Sequence, residues 1–307
     1  MTLRRLGFAA LALLVPAAAM AGDVRVLHQA KAHDAVFALA MQGDRVLGVG
    51  ALGVVVASGD GGATWKRQAA PTDDALLGVA LDRDRALAVG QGGIILRRES
   101  GAWTVAASGT GERLFGVALR PDGVAVAVGA FGTLLRSDDA GRSWAPVAVD
   151  WASMLEDAME PHLYAVRVAG DALLAVGEFG LVMRSEDGGR RWTGTRVTDA
   201  SLFDLAMDGN GQGLAVGQKG TVVRTTDGGA SWTATSVGTD TALLGAWRSG
   251  PDARIVGVQS AWRSTDGGAT WAADDRGDLA TAWYQTIAGE GEPMAGGHAG
   301  RIVALGK

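Results

Sequence analysis

Apolar residues in this chain come in short runs, each cut off by a cluster of Gly and Asp. One unit shows the pattern. Leu76-Leu77-Gly78-Val79-Ala80-Leu81 is an apolar run of strand length, segments 85–90 and 94–97 follow, and Trp103 opens a fourth. Short apolar runs between turn residues predict strands. No segment inside the repeating part has the length and 3.6-residue period of a helix. The unit recurs, with innermost strands expected to begin near Val36, Leu76, Leu114, Leu163, Leu202, Leu243 and Ala282. That gives seven units of four antiparallel strands, labelled A to D from the inside outwards.

A second pattern overlies the first. Ser58-Gly59-Asp60-Gly61-Gly62-Ala63-Thr64-Trp65 recurs as Ser264 to Trp271, with close copies ending at Trp144, Trp192 and Trp232 and a shortened one, lacking the Asp, at Trp103. The Trp intervals are 38, 41, 48, 40 and 39 residues. A period of about 40 residues built from several short strands predicts a β-propeller. The expected fold is all-β: a seven-bladed propeller of four-stranded antiparallel blades. In each turn between strands C and D the Asp accepts backbone N–H groups of its own turn. The five full copies pair Asp60 with Trp65, Asp139 with Trp144, Asp187 with Trp192, Asp227 with Trp232 and Asp266 with Trp271. Gly62, Gly141, Gly189, Gly229 and Gly268 take positive φ at low cost. The Trp packs as a plate between blades, burying on the order of 150–250 Å².

The last unit runs out after strand C. Val24-Arg25-Val26-Leu27-His28, at the other end, supplies a candidate fourth strand. Pairing there ties first and last repeats together and covers a free sheet edge. One stretch breaks the period, between strand D of the third unit and strand A of the fourth. It suggests a short helical insertion near 150–162, with Trp151, Met154, Leu155 and Met159 on one face and Pro161 as its stop.

Composition narrows the setting. Arg4 and Arg5, the apolar run from Leu6 to Val15 and the small-x-small site Ala19-Met20-Ala21 read as a signal peptide over 1–21, cleaved after Ala21. The propeller then occupies 22–307. The whole chain carries 28 basic and 33 acidic residues; without Arg4 and Arg5 the net charge is near −7, which argues against a nucleic-acid partner. There is no Cys, hence no disulfide and no thiolate chemistry. An exported protein without disulfides fits a bacterial periplasm. No cofactor or metal is expected: His28 and His33 are isolated, and no acidic run has calcium-loop spacing. Gly48-Val49-Gly50-Ala51-Leu52-Gly53 mimics a dinucleotide fingerprint but lacks the strand-turn-helix context.

The element Ala-Val-Gly-x-x-Gly-x-x-x-Arg-Ser/Thr-x-Asp-x-Gly-x-x-Trp appears as Ala127 to Trp144, Ala175 to Trp192 and Ala215 to Trp232. In this the chain resembles the Ycf48/HCF136-like family, within the wider set of Asp-box (BNR-repeat) propellers, over nearly all of 24–307. The resemblance implies a non-enzymatic scaffold like photosystem II assembly and stability factors, not itself membrane-spanning, whose protein partner is the periplasmic face of an inner-membrane protein or complex.

Strand direction puts the D-to-A and B-to-C connections on one face and the Asp-box and A-to-B turns on the other. The first face offers Trp151, Glu178, Lys219 and His298 as binding candidates. Arg97, Arg136, Arg184, Arg224 and Arg263, at equivalent strand C positions, form a second candidate set; the competing expectation pairs each with an acid of a neighbouring turn. The alternative function is a sialidase-like glycosidase or a carbohydrate-binding propeller with Trp151 exposed. A sialidase needs a Tyr with a Glu partner, here Tyr164 and Glu178, and converging arginines, here Arg113, Arg167 and Arg248. Tyr164 shares its strand position with Phe37, Phe115 and Phe203, which reads as core packing.

Overall fold

The computed structural model describes residues 24–99, 101–155 and 159–306. The expected signal peptide lies outside them. Seven four-stranded antiparallel sheets follow one another along the chain and close into a propeller. Blade 1 comprises Val36–Gln42, Arg45–Gly50, Val55–Ser58 and Lys66–Gln68. Strands A of blades 2 to 6 are Leu76–Asp82, Leu114–Leu119, Leu163–Ala169, Leu202–Met207 and Leu243–Ser249. Blade 7 comprises Tyr284–Ala288, Met294–Gly297 and Ile302–Ala304, and Arg25–His28 is its fourth strand. Arg25 pairs with Ala304 and Val26 with Val303, so the two ends of the propeller share one sheet. The last inner strand starts at Tyr284 rather than at Ala282, because Ala282 N–H bonds back to Asp278 O in the preceding turn.

Burial follows from stacking. Strand B is covered on both sides by neighbouring blades, so it reads as an unbroken apolar run; Ala125–Gly129 is buried at every position. Strand D is the edge and is polar, as in the fully exposed Thr233–Ser236, which blunts edge-to-edge association. There is no single core. Seven apolar clusters fill the seven seams, with Trp65, Trp103, Trp144, Trp192, Trp232 and Trp271 each in a different one. The seam between blades 6 and 7 has no such Trp and is filled by Trp247, Leu279, Tyr284 and Leu305.

The expected helical insertion near 150–162 is described over 150–155 and 159–162. Its described part holds one 3-10 turn, Trp151–Ser153. Trp151 (8% exposed) and Leu155 (6%) are drawn into the seam between blades 3 and 4. Trp151 is therefore buried rather than an exposed stacking platform. Met159 stands exposed.

Candidate functional site

The loops sort onto two faces as strand direction requires. The Gly61, Ala140 and Gly228 N–H groups of Asp-box turns donate to carbonyls of A-to-B turns. On the opposite face Gly53, Gly132 and Gly220, in B-to-C turns, donate to carbonyls of D-to-A loops.

On the Asp-box face the network is structural. Asp60 accepts Thr64 N–H (2.8 Å), Thr64 O–H (2.6 Å) and Ser58 O–H (2.7 Å). Asp139, Asp227 and Asp266 repeat the set with Ser143, Ser231 and Thr270. These donors favour the carboxylate: the bonds from Thr64, Ser143 and Ser231 hold Asp60, Asp139 and Asp227 down at about 2, and Asp266 is held lower still. Asp187 is lowered chiefly by the Arg191 N–H; it keeps the Ser185 O–H (3.0 Å) but has no second hydroxyl, because Arg191 replaces the usual Thr or Ser. Trp65, Trp144, Trp192 and Trp232 donate their ring N–H to Gly62, Gly141, Gly189 and Gly229 carbonyls. Those glycines are needed for space: a Cβ on Gly229 would lie 2.7 Å from Leu174 of the preceding blade, at φ +84°.

The arginine set divides. Arg97, Arg136 and Arg184 each pair with the acid two residues on in their own turn, Glu99, Asp138 and Glu186. Glu99 and Asp138 also take Arg142 (2.7 Å) and Arg190 (3.3 Å) of the next blade. Arg136 and Arg184 reach the next Asp-box at Gly188 O (2.6 Å) and Gly228 O (3.4 Å). Arg136 and Arg184 thus mortar adjacent blades directly and Arg97 through Glu99, and the pairing acid belongs mainly to the arginine's own turn rather than to a neighbour's. Arg224 and Arg263 make no ion pair among the described residues, and Arg263 is exposed.

The other face carries a feature that strand alternation conceals. In every blade the A–B register slips at the second residue of strand A, between Val36 and Ala38, Leu76 and Gly78, Leu114 and Gly116, and so on around the ring. A bulge re-aims one side chain. The bulged residues Phe37, Leu77, Phe115, Tyr164, Phe203, Leu244 and Gln285 all line one cavity of about 520 Å³ at the axis. The shared aromatic position is thus a half-buried mouth, not core. Three rings form an arc, with Phe115–Tyr164 centroids at 5.3 Å and Tyr164–Phe203 at 5.1 Å. Below them the inner strands converge on small residues; a Cβ on Gly116 would sit 3.1 Å from the Ala165 Cα. Asp204 lines this upper cavity and Arg167 a lower one of about 340 Å³, and their ion pair (2.5 Å) lies between. Burial raises Asp204 although Arg167 opposes it.

The rim is apolar as well. The middle residue of the B-to-C turn takes positive φ in each blade: Leu52, Gly92, Phe131, Phe179, Lys219, Gln259 and Ala299. Six of the seven are not Gly, at a cost of roughly 1–3 kcal/mol each. Leu52 and Phe131 are 58% and 60% exposed. Phe131 is propped by His162, whose Nδ1 accepts the Phe131 N–H (3.0 Å) with ring centroids 4.8 Å apart. Lys219 is exposed and Glu178 half-buried, its carboxylate taking the His162 N–H at 2.8 Å. His298 is drawn inward to a cluster in which Asp278 accepts Tyr284 O–H (2.8 Å), lies 3.2 Å from His298 Nε2 and pairs with Arg301 at 3.3 Å.

The glycosidase set is only partly assembled. Burial, then the Glu178 charge and hydrogen bond, push Tyr164 up to about 12. The arginines do not converge on it. Arg113 shares its cavity, whereas Arg167 is bound to Asp204 and Arg248 is buried toward the opposite mouth, on Asp208 at 3.0 Å. Among the described residues no cluster of three or more His, Cys, Asp or Glu could hold a metal ion, and no helix is long and apolar enough to cross a membrane.

Fold and turns together define a seven-bladed propeller sealed by its N-terminal strand and stapled by Asp-box turns. Neither a family model nor a curated protein matches the chain. In structure it is similar to Ycf48 from Cyanidioschyzon merolae, at 17% identity and TM-score 0.74 over 93% of this chain and 99% of that one. It is also similar to Ycf48 bound to D1 peptide, at 16% identity and TM-score 0.72 over 93% and 97%. A GH74 xyloglucanase from Xanthomonas campestris shares the architecture at 16% identity and TM-score 0.67, over 92% of this chain and 53% of its own. At these identities the likeness shows the fold.

Proposed function

We infer that the chain is a non-enzymatic scaffold that binds a segment of another protein and assists the assembly or stability of a membrane protein complex from the exported, periplasmic side. The observation that carries this reading is the D-to-A and B-to-C face. Six aliphatic or aromatic bulged side chains, with Gln285 as the seventh, open a mouth there, and exposed apolar residues are held around it in costly backbone conformations. Large exposed apolar patches mark interaction surfaces. That a similar Ycf48 is bound to D1 peptide supports a protein ligand. The leader-like sequence over 1–21 supports export. The test is crosslinking and affinity capture from membranes of the source organism: one specific membrane protein is expected, and its absence contradicts the reading.

A glycosidase is the second reading, favoured by the contact of Tyr164 with Glu178. Turnover of glycoside substrates that disappears in Tyr164→Phe would establish it in place of the scaffold.

A further inference from the structure

The axial mouth does not stand alone. A second cavity, of about 420 Å³, opens beside it under Phe131 and His162, and the two share Gln91, Arg113 and Phe115 in their walls. Together they make one trough running from the axis outward over blades 2 to 4. Each volume falls in the range of about 300–1,000 Å³ usual for ligand sites.

Its chemistry specifies an occupant. The axial part presents the rings of Phe37, Phe115, Tyr164 and Phe203, with Asp204, Gln285 and Thr286 as polar lining. Arg113 lies on the shared wall, exposed, and its guanidinium has no hydrogen-bond or ion-pair partner among the described residues. Its planar fork of donors suits carbonyl oxygens, such as those of an extended backbone. The surrounding face is acidic. Asp73, Asp74, Glu112, Glu160 and Asp240 belong to its D-to-A loops and form no ion pair among the described residues, against Lys31, Arg113 and Lys219 as unpaired cations of the same face. A rim of this sign attracts cationic segments and repels acidic ones.

We propose that this trough takes an extended, lysine- or arginine-bearing segment of the partner protein, with an aromatic or branched apolar side chain seated in the axial mouth and its backbone carbonyls on Arg113. The proposal rests on the scaffold reading and adds the chemistry of the segment that is held. The acidic rim brings the segment in and the aromatic arc fixes its register. The Phe131 pocket receives a second side chain further along the strand.

The experiment uses the mature protein and a labelled synthetic peptide with one phenylalanine between pairs of lysines, read by fluorescence anisotropy at low salt. Exchanging the phenylalanine for alanine is expected to weaken binding at least tenfold, and exchanging the lysines for glutamates to abolish it. Leu77→Lys, a half-buried mouth position, is expected to abolish binding. Asp73→Lys, in an exposed loop and harmless to folding, is expected to weaken it about tenfold and to flatten its salt dependence. No binding at millimolar peptide, binding indifferent to these exchanges, or displacement of the peptide by xyloglucan oligosaccharides would overturn the proposal. Capture from membranes separates it from the scaffold reading. A partner retained by both wild type and Leu77→Lys refutes the trough alone, whereas no partner with either protein refutes the scaffold.

Discussion

Arg248 carries the sharpest stability prediction, because it is one of the arginines a glycosidase would need and the fold uses it otherwise. Its side chain is 3% exposed and that of Asp208 is 8% exposed. Nε bonds Asp208 at 3.0 Å, Nη1 bonds Gly267 O at 2.8 Å, and Nη2 bonds Gln212. The guanidinium thus pins strand A of blade 6 to the turn of blade 5 and to its own Asp-box. Arg248→Met keeps most of the stem and removes the charge. Stripping one partner from a buried pair costs about 3–5 kcal/mol. Asp208 keeps the N–H groups of Asn210 and Gln212, so the lower end, ~3 kcal/mol, is expected. For a chain of this size that is a fall in Tm of about 5–10 °C. The pH dependence is diagnostic. Burial pushes Asp208 up, but the bonds from Arg248, Asn210 and Gln212 outweigh it and leave it lowered. Such a carboxylate contributes in full above its ordinary pKa near 4 and loses the contribution as pH falls through the lowered value. The gap between wild type and Arg248→Met should therefore be full at pH 7 and close on acidification well below pH 4, with Asp208→Asn showing little further loss in the Arg248→Met background. A deficit under ~2 °C at pH 7, or one unchanged in strong acid, would show that the Arg248–Asp208 pair does not hold blades 5 and 6 together.

Other outcomes follow from the same geometry. Removing residues 24–28 takes away the strand paired with Ile302–Ala304, and hydrogen exchange should show blade 7 losing protection first, with blades 3 and 4 following only on global unfolding. With Asp60, Asp139 and Asp227 held at about 2, their contribution is whole above pH 4 and lost between about 4 and 2. Acid titration by circular dichroism should place the unfolding midpoint in that window, and resistance below pH 2 would contradict it. Asp204 runs the other way. Its pKa is raised by burial, so ionisation opposes folding as pH rises from 4. Asp204→Asn, which still accepts the Ala246 N–H, should not lower Tm at pH 7, while Asp204→Leu leaves that buried N–H unpaired and should cost about 1–3 kcal/mol by urea titration.

What the sequence made legible was whatever repeats as a string. The Asp-box letters give turn chemistry and period, the recurring inner-strand runs give the blade count, and the segment at Val24 to His28 gives the ring closure found in the sheet pairing. The mouth was hidden for a physical reason. Alternation along a strand assigns side chains to two faces, and both faces of a blade are core. Only a bulge turns the second residue toward the axis, and nothing in Phe37, Phe115, Tyr164 and Phe203 as letters distinguishes a lining ring from a packed one. Trp151 failed in the opposite direction. An aromatic in a period-breaking segment looks like a platform, but its ring packs against Gly132, where a Cβ would lie 2.9 Å from Nε1. The strand C arginines were half legible: their acids stand two residues along, whereas the carbonyls of the next Asp-box appear only once blades are stacked.

If the chain is the proposed scaffold, the face bearing the mouth, rather than the Asp-box face, meets the partner. A photo-crosslinking amino acid placed at position 131, on the exposed rim, and separately at position 263, on the opposite side, tests it in the living source organism. A specific adduct with a membrane protein is expected from position 131 and none from position 263. An adduct from position 263 alone, or none from position 131, would contradict it.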